Sequence, residues 1–208
     1  MKTARDVEQL LICLVVMCSQ KLWAAPLPEF SGEYGYLAGD QGFQQFLSNN
    51  LEFSLKIKTN AQQLREVFCQ DYKLCNEQEL NLVRRQLKIS QAPLDQCQST
   101  SFNLDTCFTQ IRNGLQTYHA DLSTIQKHLS ANSVAIDRLK LDISDITSNF
   151  QQQMETMSIA VVNFPDSAGQ TLNFPTTFHE QAGGYLVLCN LQHFLETVYR
   201  ALRFLQKQ

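Results

Sequence analysis

The chain has 208 residues, of which 44% are hydrophobic and 18% charged, and its formal net charge is -3. This length favours one domain, and the apolar content can bury a sizeable core, which excludes an intrinsically disordered chain. A chain without a basic excess cannot neutralise many phosphates, which argues against nucleic-acid binding. The 8 glycines and 5 prolines are few for an all-β protein with many tight turns.

The amino terminus has the features of a secretory signal peptide. Lys2 and Arg5 precede an apolar run over residues 10–18, which is too short for a membrane-spanning helix of ~20 residues. Small residues follow at Ala24 and Ala25, where a signal peptidase can cleave. The alternative interpretation of this run is a short buried helix.

Cleavage after Ala24 divides the chain into three parts. We predict a signal peptide at residues 1–24, a flexible N-terminal segment at 25–42 and a helical domain at 43–208. No apolar stretch long enough to span a membrane follows this short run. We therefore expect a secreted, soluble protein that does not insert into membranes.

Seven cysteines in the full chain become five after cleavage, namely Cys69, Cys75, Cys97, Cys107 and Cys189. The sequence alone leaves their connectivity open. Short separations favour the pairs Cys69–Cys75 and Cys97–Cys107, with Cys189 as a free thiol. A zinc site is the alternative, but the pairs lack C-x-x-C spacing and a histidine in register, so we expect no metal and no cofactor.

Four segments repeat apolar residues at alternating steps of three and four, which is one stripe of a helix. The stripes run from Phe43 to Phe68, from Leu104 to Leu129, from Ile136 to Met157 and from Phe178 to Leu205. None follows the period of two that a strand requires. The pattern predicts an all-α fold.

The connections between these helices restrict their directions. Only residues 130–133 separate the second and third helices, with Ser133 predicted as an N-cap. A helix of ~24 residues is ~36 Å long, and four residues cannot run back along it, so these two helices must be antiparallel. The connections over residues 70–101 and 158–177 are long enough to cross the bundle. They permit an up-up-down-down arrangement with two long crossover loops.

Catalytic motifs are absent from the sequence, so we expect no enzyme activity. Neither a G-x-S-x-G elbow, a Walker loop nor a G-x-G-x-x-G fingerprint occurs. His179 and Glu180 begin like a zincin helix, but Gly183 stands where the second histidine belongs. The four histidines lie on different segments without ligand spacing, at His119, His128, His179 and His193.

The adjacent Arg84 and Arg85 have two interpretations. They could form a dibasic processing site, or a solvated charge pair in the first crossover, and the second interpretation is favoured.

Several motifs carry a family resemblance that runs from about Ala25 to the carboxyl terminus. They are LREVFCQDYKLC at 64–75, APLDQC at 92–97, LKLD at 139–142, AGG at 182–184 and the segment 194–202. With these motifs the chain resembles the granulocyte colony-stimulating factor family. Segments 92–97 and 107–112 are similar in particular to its avian branch, the myelomonocytic growth factors, which indicates a non-mammalian vertebrate form.

The resemblance implies a long-chain four-helix-bundle cytokine of the interleukin-6 superfamily. Such cytokines are growth factors that cross-link a class I cytokine receptor ectodomain, and JAK–STAT signalling then drives proliferation and differentiation of granulocytes in the immune response. We expect the free protein to be a monomer. The alternatives are another interleukin-6-type cytokine, which would differ in receptor, and a secreted helical lipid carrier, which should lack small disulfide loops at the crossover.

The resemblance also implies a major receptor patch on the first and third long helices, formed by Glu52, Lys56, Asp142 and Asp145. Asp142 and Asp145 are three residues apart and share one helix face. The alternative is an ordinary solvated face in which Glu52 and Lys56 form an i,i+4 ion pair. Charged residues of the mammalian patch are replaced here by Asn49, Leu55 and Asn60, so we expect poor cross-reaction with a mammalian receptor.

A second patch is implied near the first crossover and the start of the last helix, formed by Tyr72, Leu74, Glu79, Leu82 and Phe178. An apolar and aromatic set outside the core is typical of a binding anchor. The alternative is that these residues pack the crossover onto the bundle. Asn81 replaces an apolar residue of the mammalian patch, and Asn50 stands where the mammalian free cysteine lies. We expect Cys189 to be a buried, inert thiol.

Overall fold

The computed structural model describes residues 37, 39–160 and 172–208, and all regular elements in those ranges are helical, as predicted. The five α-helices of these ranges are α1 (Gln41–Tyr72), α2 (Asn81–Gln86), α3 (Leu104–His128), α4 (Ser133–Thr156) and α5 (Thr177–Gln206). The predicted signal peptide at 1–24 lies outside the described residues. So do most of the segment predicted to be flexible and residues 161–171 of the second crossover.

Polar side chains begin three of the four long helices. Each accepts a hydrogen bond from the backbone N–H three residues later, which satisfies one of the donors that a helix start leaves unpaired. The pairs are Asp40 with Phe43 (3.0 Å), Asn103 with Thr106 (2.9 Å) and Thr176 with His179 (3.4 Å). Helix α4 has Asn132 at its N-cap and begins at Ser133, so the predicted cap was one residue late.

Helices α3 and α4 are antiparallel, as the short connection predicted. The Lys140 ammonium near the start of α4 donates to Gln126 near the end of α3, at 2.9 Å. At the other end of the pair, Arg112 of α3 hydrogen-bonds to Gln151 of α4.

Contacts of α1 give the direction of the other helices. Near the start of α1 the Phe46 ring lies 5.3 Å from that of Phe150, near the end of α4, and 5.7 Å from that of Phe108, near the start of α3. Phe68, near the end of α1, faces Gly184, near the start of α5. Helices α1 and α3 therefore run one way and α4 and α5 the other, which confirms the up-up-down-down topology.

The predicted stripes form the core, with one correction at the start of α5. Phe178 was placed on the fourth stripe, but 47% of its surface is exposed. It is the second residue of α5, one turn before Ala182, where the buried stretch of that helix begins. The helical period continues beyond the part of α5 that its neighbours cover, so the stripe alone could not place this ring.

The first crossover contains regular structure that the sequence analysis missed. Helix α2 lies in its middle, and short 3₁₀ turns occur at Glu77–Leu80 and Asp95–Cys97. Leu80, Val83 and Leu87 are buried and follow one another at steps of three and four. This is the same signal that identified the long helices, but it spans only two turns, so its periodicity was not distinctive.

Gly184 sets how closely α5 approaches α1. A Cβ atom built on Gly184 would lie 2.5 Å from Cε1 of Phe68 and 3.4 Å from Cγ2 of Ile125, both of which are buried. The Phe68 ring is itself held edge-on by Tyr72, with ring centroids 5.4 Å apart. Helices α1, α3 and α5 therefore meet at a point that accepts only a hydrogen atom.

We expect Gly184→Ala to destabilise the protein, since overpacking a closed core costs about 1–3 kcal/mol. The better helix propensity of alanine offsets about 1 kcal/mol of that loss. A net fall of up to about 2 kcal/mol in the free energy of unfolding should appear in urea denaturation. Gly39→Ala is the matched control, because nothing lies within 4 Å of a Cβ atom there. Equal stability of the two variants would contradict the close approach.

Asp121 is a half-buried carboxylate of α3 at the edge of the apolar core. It is three residues after Tyr118 and four before Ile125, both fully buried, and it has no hydrogen-bond or ion-pair partner among the described residues. Burial raises the pKa of Asp121 to about 7. The native state therefore holds this proton between about pH 4 and 7, whereas the unfolded chain does not.

The free energy of unfolding should consequently fall as the pH rises from 4 to 7, and the penalty should be fully present above pH 7. We expect Asp121→Asn to remove it, with a gain on the order of 2 kcal/mol at pH 8 and little change at pH 4. Thermal unfolding across this range measures the effect. Asp145→Asn, an exposed mid-helix carboxylate, is the control and should give the same small change at both pH values. A pH-independent gain for Asp121→Asn would contradict the raised pKa.

Candidate functional site

The four residues of the major patch lie on two adjacent antiparallel helices, α1 and α4. The exposed residues are Glu52 and Lys56 on α1 and Asp145 on α4, whereas Asp142 is only 8% exposed. The Lys56 ammonium is 3.0 Å from Oδ1 of Asp142. The structure thus joins two of the four residues directly, and Lys56 pairs with Asp142 across the helix boundary rather than with Glu52 along α1.

Both oxygens of the Asp142 carboxylate are hydrogen-bonded within the protein. Oδ1 accepts from Lys56, and Oδ2 accepts from the Asn60 side-chain amide at 3.1 Å. A buried carboxylate is tolerated when its acceptors are satisfied in this way. Asp142 therefore clamps α1 to α4, and the predicted pair of acids is unequal, because only Asp145 presents a free carboxylate.

The clamp also orients Lys56. Its ammonium lies 5.3 Å from the centre of the Phe53 ring, within the range of a cation–π contact. The side chain of Lys56 is 59% exposed, so the charge still faces water. Its contacts with Asp142 and the Phe53 ring thus hold the Lys56 ammonium at one position on the surface, at the boundary of α1 and α4.

A second polar contact joins the same helices further towards the start of α1. The Asn149 amide donates to Oδ1 of Asn50 at 2.9 Å, and the Asn50 amide donates to the carbonyl of Phe46 at 2.8 Å. Asn50 is 2% exposed. Sequence reasoning noted Asn50 and Asn60 only as replacements. Their position beside apolar stripe residues was a signal for a polar seam between two helices.

Two large apolar side chains are exposed beside the free carboxylates. Leu141, four residues before Asp145, is 66% exposed, and Leu55, three residues after Glu52, is 43% exposed. Exposed apolar groups beside charges that can pair are typical of a protein interface. Leu141 was missed because the LKLD motif was used only as a sign of family resemblance, and its second leucine lies outside the core stripe.

The residues of the second patch lie at the end of α1, on the first crossover and on the first turn of α5. Leu82 is 73% exposed and Glu79 is exposed, while Tyr72 and Leu74 are half-buried. The Glu79 carboxylate accepts from the Asn76 amide at 2.8 Å, which holds it at the surface.

Contacts between the crossover and α5 bring these two elements to one end of the bundle. The His179 ring, next to Phe178, lies 3.1 Å from Oε1 of Gln86, one turn after Leu82. The Tyr185 hydroxyl donates to the carbonyl of Cys75 at 3.0 Å. The exposed Leu82 and Phe178 therefore belong to neighbouring segments, as a shared patch requires.

Both predicted disulfides are confirmed, at Cys69–Cys75 and Cys97–Cys107. Cys189 is a buried free thiol, also as predicted. Burial raises the pKa of Cys189 to about 11, with the Glu77 carboxylate adding to the effect. Since the thiolate is the reactive form, this thiol is inert at neutral pH.

The described residues hold no cluster of three His, Cys, Asp or Glu side chains that could bind a metal ion. In the same ranges no helix has the length and apolarity needed to traverse a bilayer. A polar groove of about 560 Å³ lies between α3 and α4, and its Arg112 is already bonded to Gln151. The best-formed candidate sites are thus the two surface patches.

Comparison with known proteins gives consistent matches over the helical part of the chain. The sequence model of the family described as granulocyte colony-stimulating factor matches residues 54–203, from within α1 to near the end of α5. Myelomonocytic growth factor of Gallus gallus is 41% identical over 189 residues, which is 90% of each chain. Granulocyte colony-stimulating factor of Felis catus is 38% identical over 164 residues, 79% of this chain and 84% of the relative. That of Homo sapiens is 36% identical over 165 residues, covering 78% and 79%.

We expect the two aspartates of α4 to differ in what they do for the fold. Asp142→Ala should lower the free energy of unfolding by about 1–3 kcal/mol, because Lys56 and Asn60 lose their shared acceptor. Asp145→Ala, at an exposed position three residues away, should change it by no more than about 0.5 kcal/mol. Urea denaturation of both variants measures the difference. Equal losses would argue against the clamp.

Proposed function

This chain belongs to the granulocyte colony-stimulating factor family, and on that premise we propose that it is a secreted cytokine that cross-links a class I cytokine receptor on granulocytes and their myeloid precursors. Members of this family are growth factors and not enzymes. Binding outside the cell brings receptor chains together, and JAK–STAT signalling follows inside it. The observation that carries the proposal is the major patch, whose free carboxylates and exposed leucines stand on two helices clamped together.

In the major patch, Glu52 and Asp145 are the groups that face the receptor. A carboxylate can pair with an arginine through two charge-assisted hydrogen bonds, which strengthen once water is excluded. The exposed Leu141 and Leu55 supply the apolar surface that excludes water around such a pair. Asp142 contributes through the position of Lys56 rather than through direct contact.

The second patch supports simultaneous binding of another receptor chain. On α1 alone, Glu52 and Tyr72 are 20 residues apart, which is about 30 Å at 1.5 Å per residue. Two receptor domains can occupy sites this far apart without competing for the same surface. Leu82 and Phe178 are the apolar anchors of this patch, and Glu79 is its charged group.

Secretion follows from the predicted signal peptide at 1–24 and agrees with the disulfides, which persist in oxidising compartments. The mature chain, beginning near Ala25, is proposed to act as a monomer until receptor chains bind it. The disulfide loops at both ends of the first crossover also favour a cytokine over a lipid carrier that must open its bundle.

We expect Glu52→Ala to weaken binding to the receptor ectodomain of the same species by 2 kcal/mol or more, which is about 30-fold in Kd. Glu52 is exposed, so the fold should be unaffected. Surface plasmon resonance with the refolded mature chain measures the affinity. Glu66→Ala is the matched control, since Glu66 is exposed on the same helix and lies outside both patches.

If Glu52→Ala leaves tight binding unchanged, the receptor site must lie elsewhere on the cytokine. A correctly disulfide-bonded monomer that does not bind this receptor would direct the search to another receptor of the same class.

A further inference from the structure

Arg84 is the inward member of the adjacent arginine pair on α2. Its side chain is only 20% exposed, whereas Arg85 is exposed. One guanidinium nitrogen, Nη1, donates to Oδ1 of Asn190 on α5 at 2.7 Å. The other, Nη2, pairs with the Glu77 carboxylate. Of the two interpretations of this pair, the processing site and the solvated charges, neither describes Arg84.

These contacts converge on one position of α5. Asn190 is 0% exposed, and its side-chain amide donates to the carbonyl of Ser90 at 3.2 Å. Arg84 and Asn190 therefore connect the crossover to α5 at three places. These are Glu77 before α2, Arg84 within it and Ser90 after it. Residues 77–90 form the segment that is held in this way, and the exposed Glu79 and Leu82 lie inside it.

Helix α2 depends on tertiary contacts for its orientation. It has six residues, and a helix of that length is unstable by itself in water. Burial of Val83 and Leu87 favours packing against the bundle, but apolar contacts are not directional. The planar guanidinium fork of Arg84 supplies the direction, because it must satisfy acceptors on two separate elements.

We propose that Arg84 is a positioning residue for the second patch, which it serves by fixing α2 so that Leu82 and Glu79 stand beside Phe178. The inference rests on the proposed function of that patch. Without the guanidinium, the buried oxygen of Asn190 loses its donor and the half-buried Glu77 carboxylate loses its counter-charge. Residues 77–90 then sample other orientations while the four long helices stay in place.

The test compares Arg84→Met with Arg85→Met in the mature protein. Methionine keeps an apolar stem and removes the guanidinium, and Arg85 is the adjacent exposed arginine on the same helix. Amide hydrogen exchange of the free cytokine reports on the segment itself. Titration with excess receptor ectodomain separates a first binding step through the major patch from a second step through the second patch.

We expect Arg84→Met to speed exchange across residues 77–90 by about tenfold or more, as local opening becomes easier. It should weaken the second binding step by about tenfold, and leave the first step within about twofold. Arg85→Met should change neither quantity. Arg84→Lys should recover only part of the loss, because one ammonium cannot reproduce the fork. It also serves if Arg84→Met does not fold.

Two results would overturn the proposal in distinguishable ways. If the Arg84 variants match Arg85→Met in both exchange and second-step affinity, Arg84 positions nothing. If Phe178→Ala leaves the second binding step unchanged, the second patch itself is wrong, and Arg84 then has no patch to position even where exchange increases.

Discussion

The short connection between α3 and α4 is the constraint on which the rest of the architecture depends. Residues 129–132 cannot span the length of a helix, so α4 must run back beside α3. With α1 parallel to α3, each of the other two connections has to travel the length of the bundle. A long connection exposes backbone groups and has little core of its own. The first crossover meets this need with α2, with the buried Leu80 and Val83, and with hydrogen bonds from its backbone at Ala92 and Gln96 to side chains of α3.

The two patches are held in place in different ways. At the α1–α4 boundary the helices are regular, and buried polar groups fix how they sit against each other. Asp142 and Asn50 each take part in contacts between these helices, so the exposed Glu52 and Asp145 stand on a rigid pair. At the other end of the bundle the surface is built from a short helix and a helix start. Its anchors are exposed because α5 extends past the part that its neighbours cover and because α2 turns Leu82 outward.

Much of this structure could be predicted from the sequence, because the information was periodic or local. Four apolar stripes gave the long helices, the length of one connection gave the topology, and cysteines six and ten residues apart gave both disulfides. Helix α2 was not predicted, because two turns offer too little periodicity. The burial of Asp142 was not predicted for another reason. A charged residue beside an apolar stripe is normally assigned to the surface, and the groups that satisfy this carboxylate, Lys56 and Asn60, lie on another helix. The Arg84 contacts with Asn190 join residues 106 positions apart, beyond the reach of any local pattern.

Both disulfides join a crossover residue to the long helix next to it, Cys69 of α1 with Cys75 and Cys97 with Cys107 of α3. Neither one links two long helices. Within the described part of the chain, a backbone break between residues 75 and 97 would therefore leave two pieces without a covalent bond between them, one with α1 and the other with α3, α4 and α5. Helix α1 would then be held to the other three long helices by non-covalent contacts alone, namely the packed core and the hydrogen bonds between helices. The two disulfides constrain only the two ends of the first crossover. Reduction would therefore free the crossover before it separated the long helices.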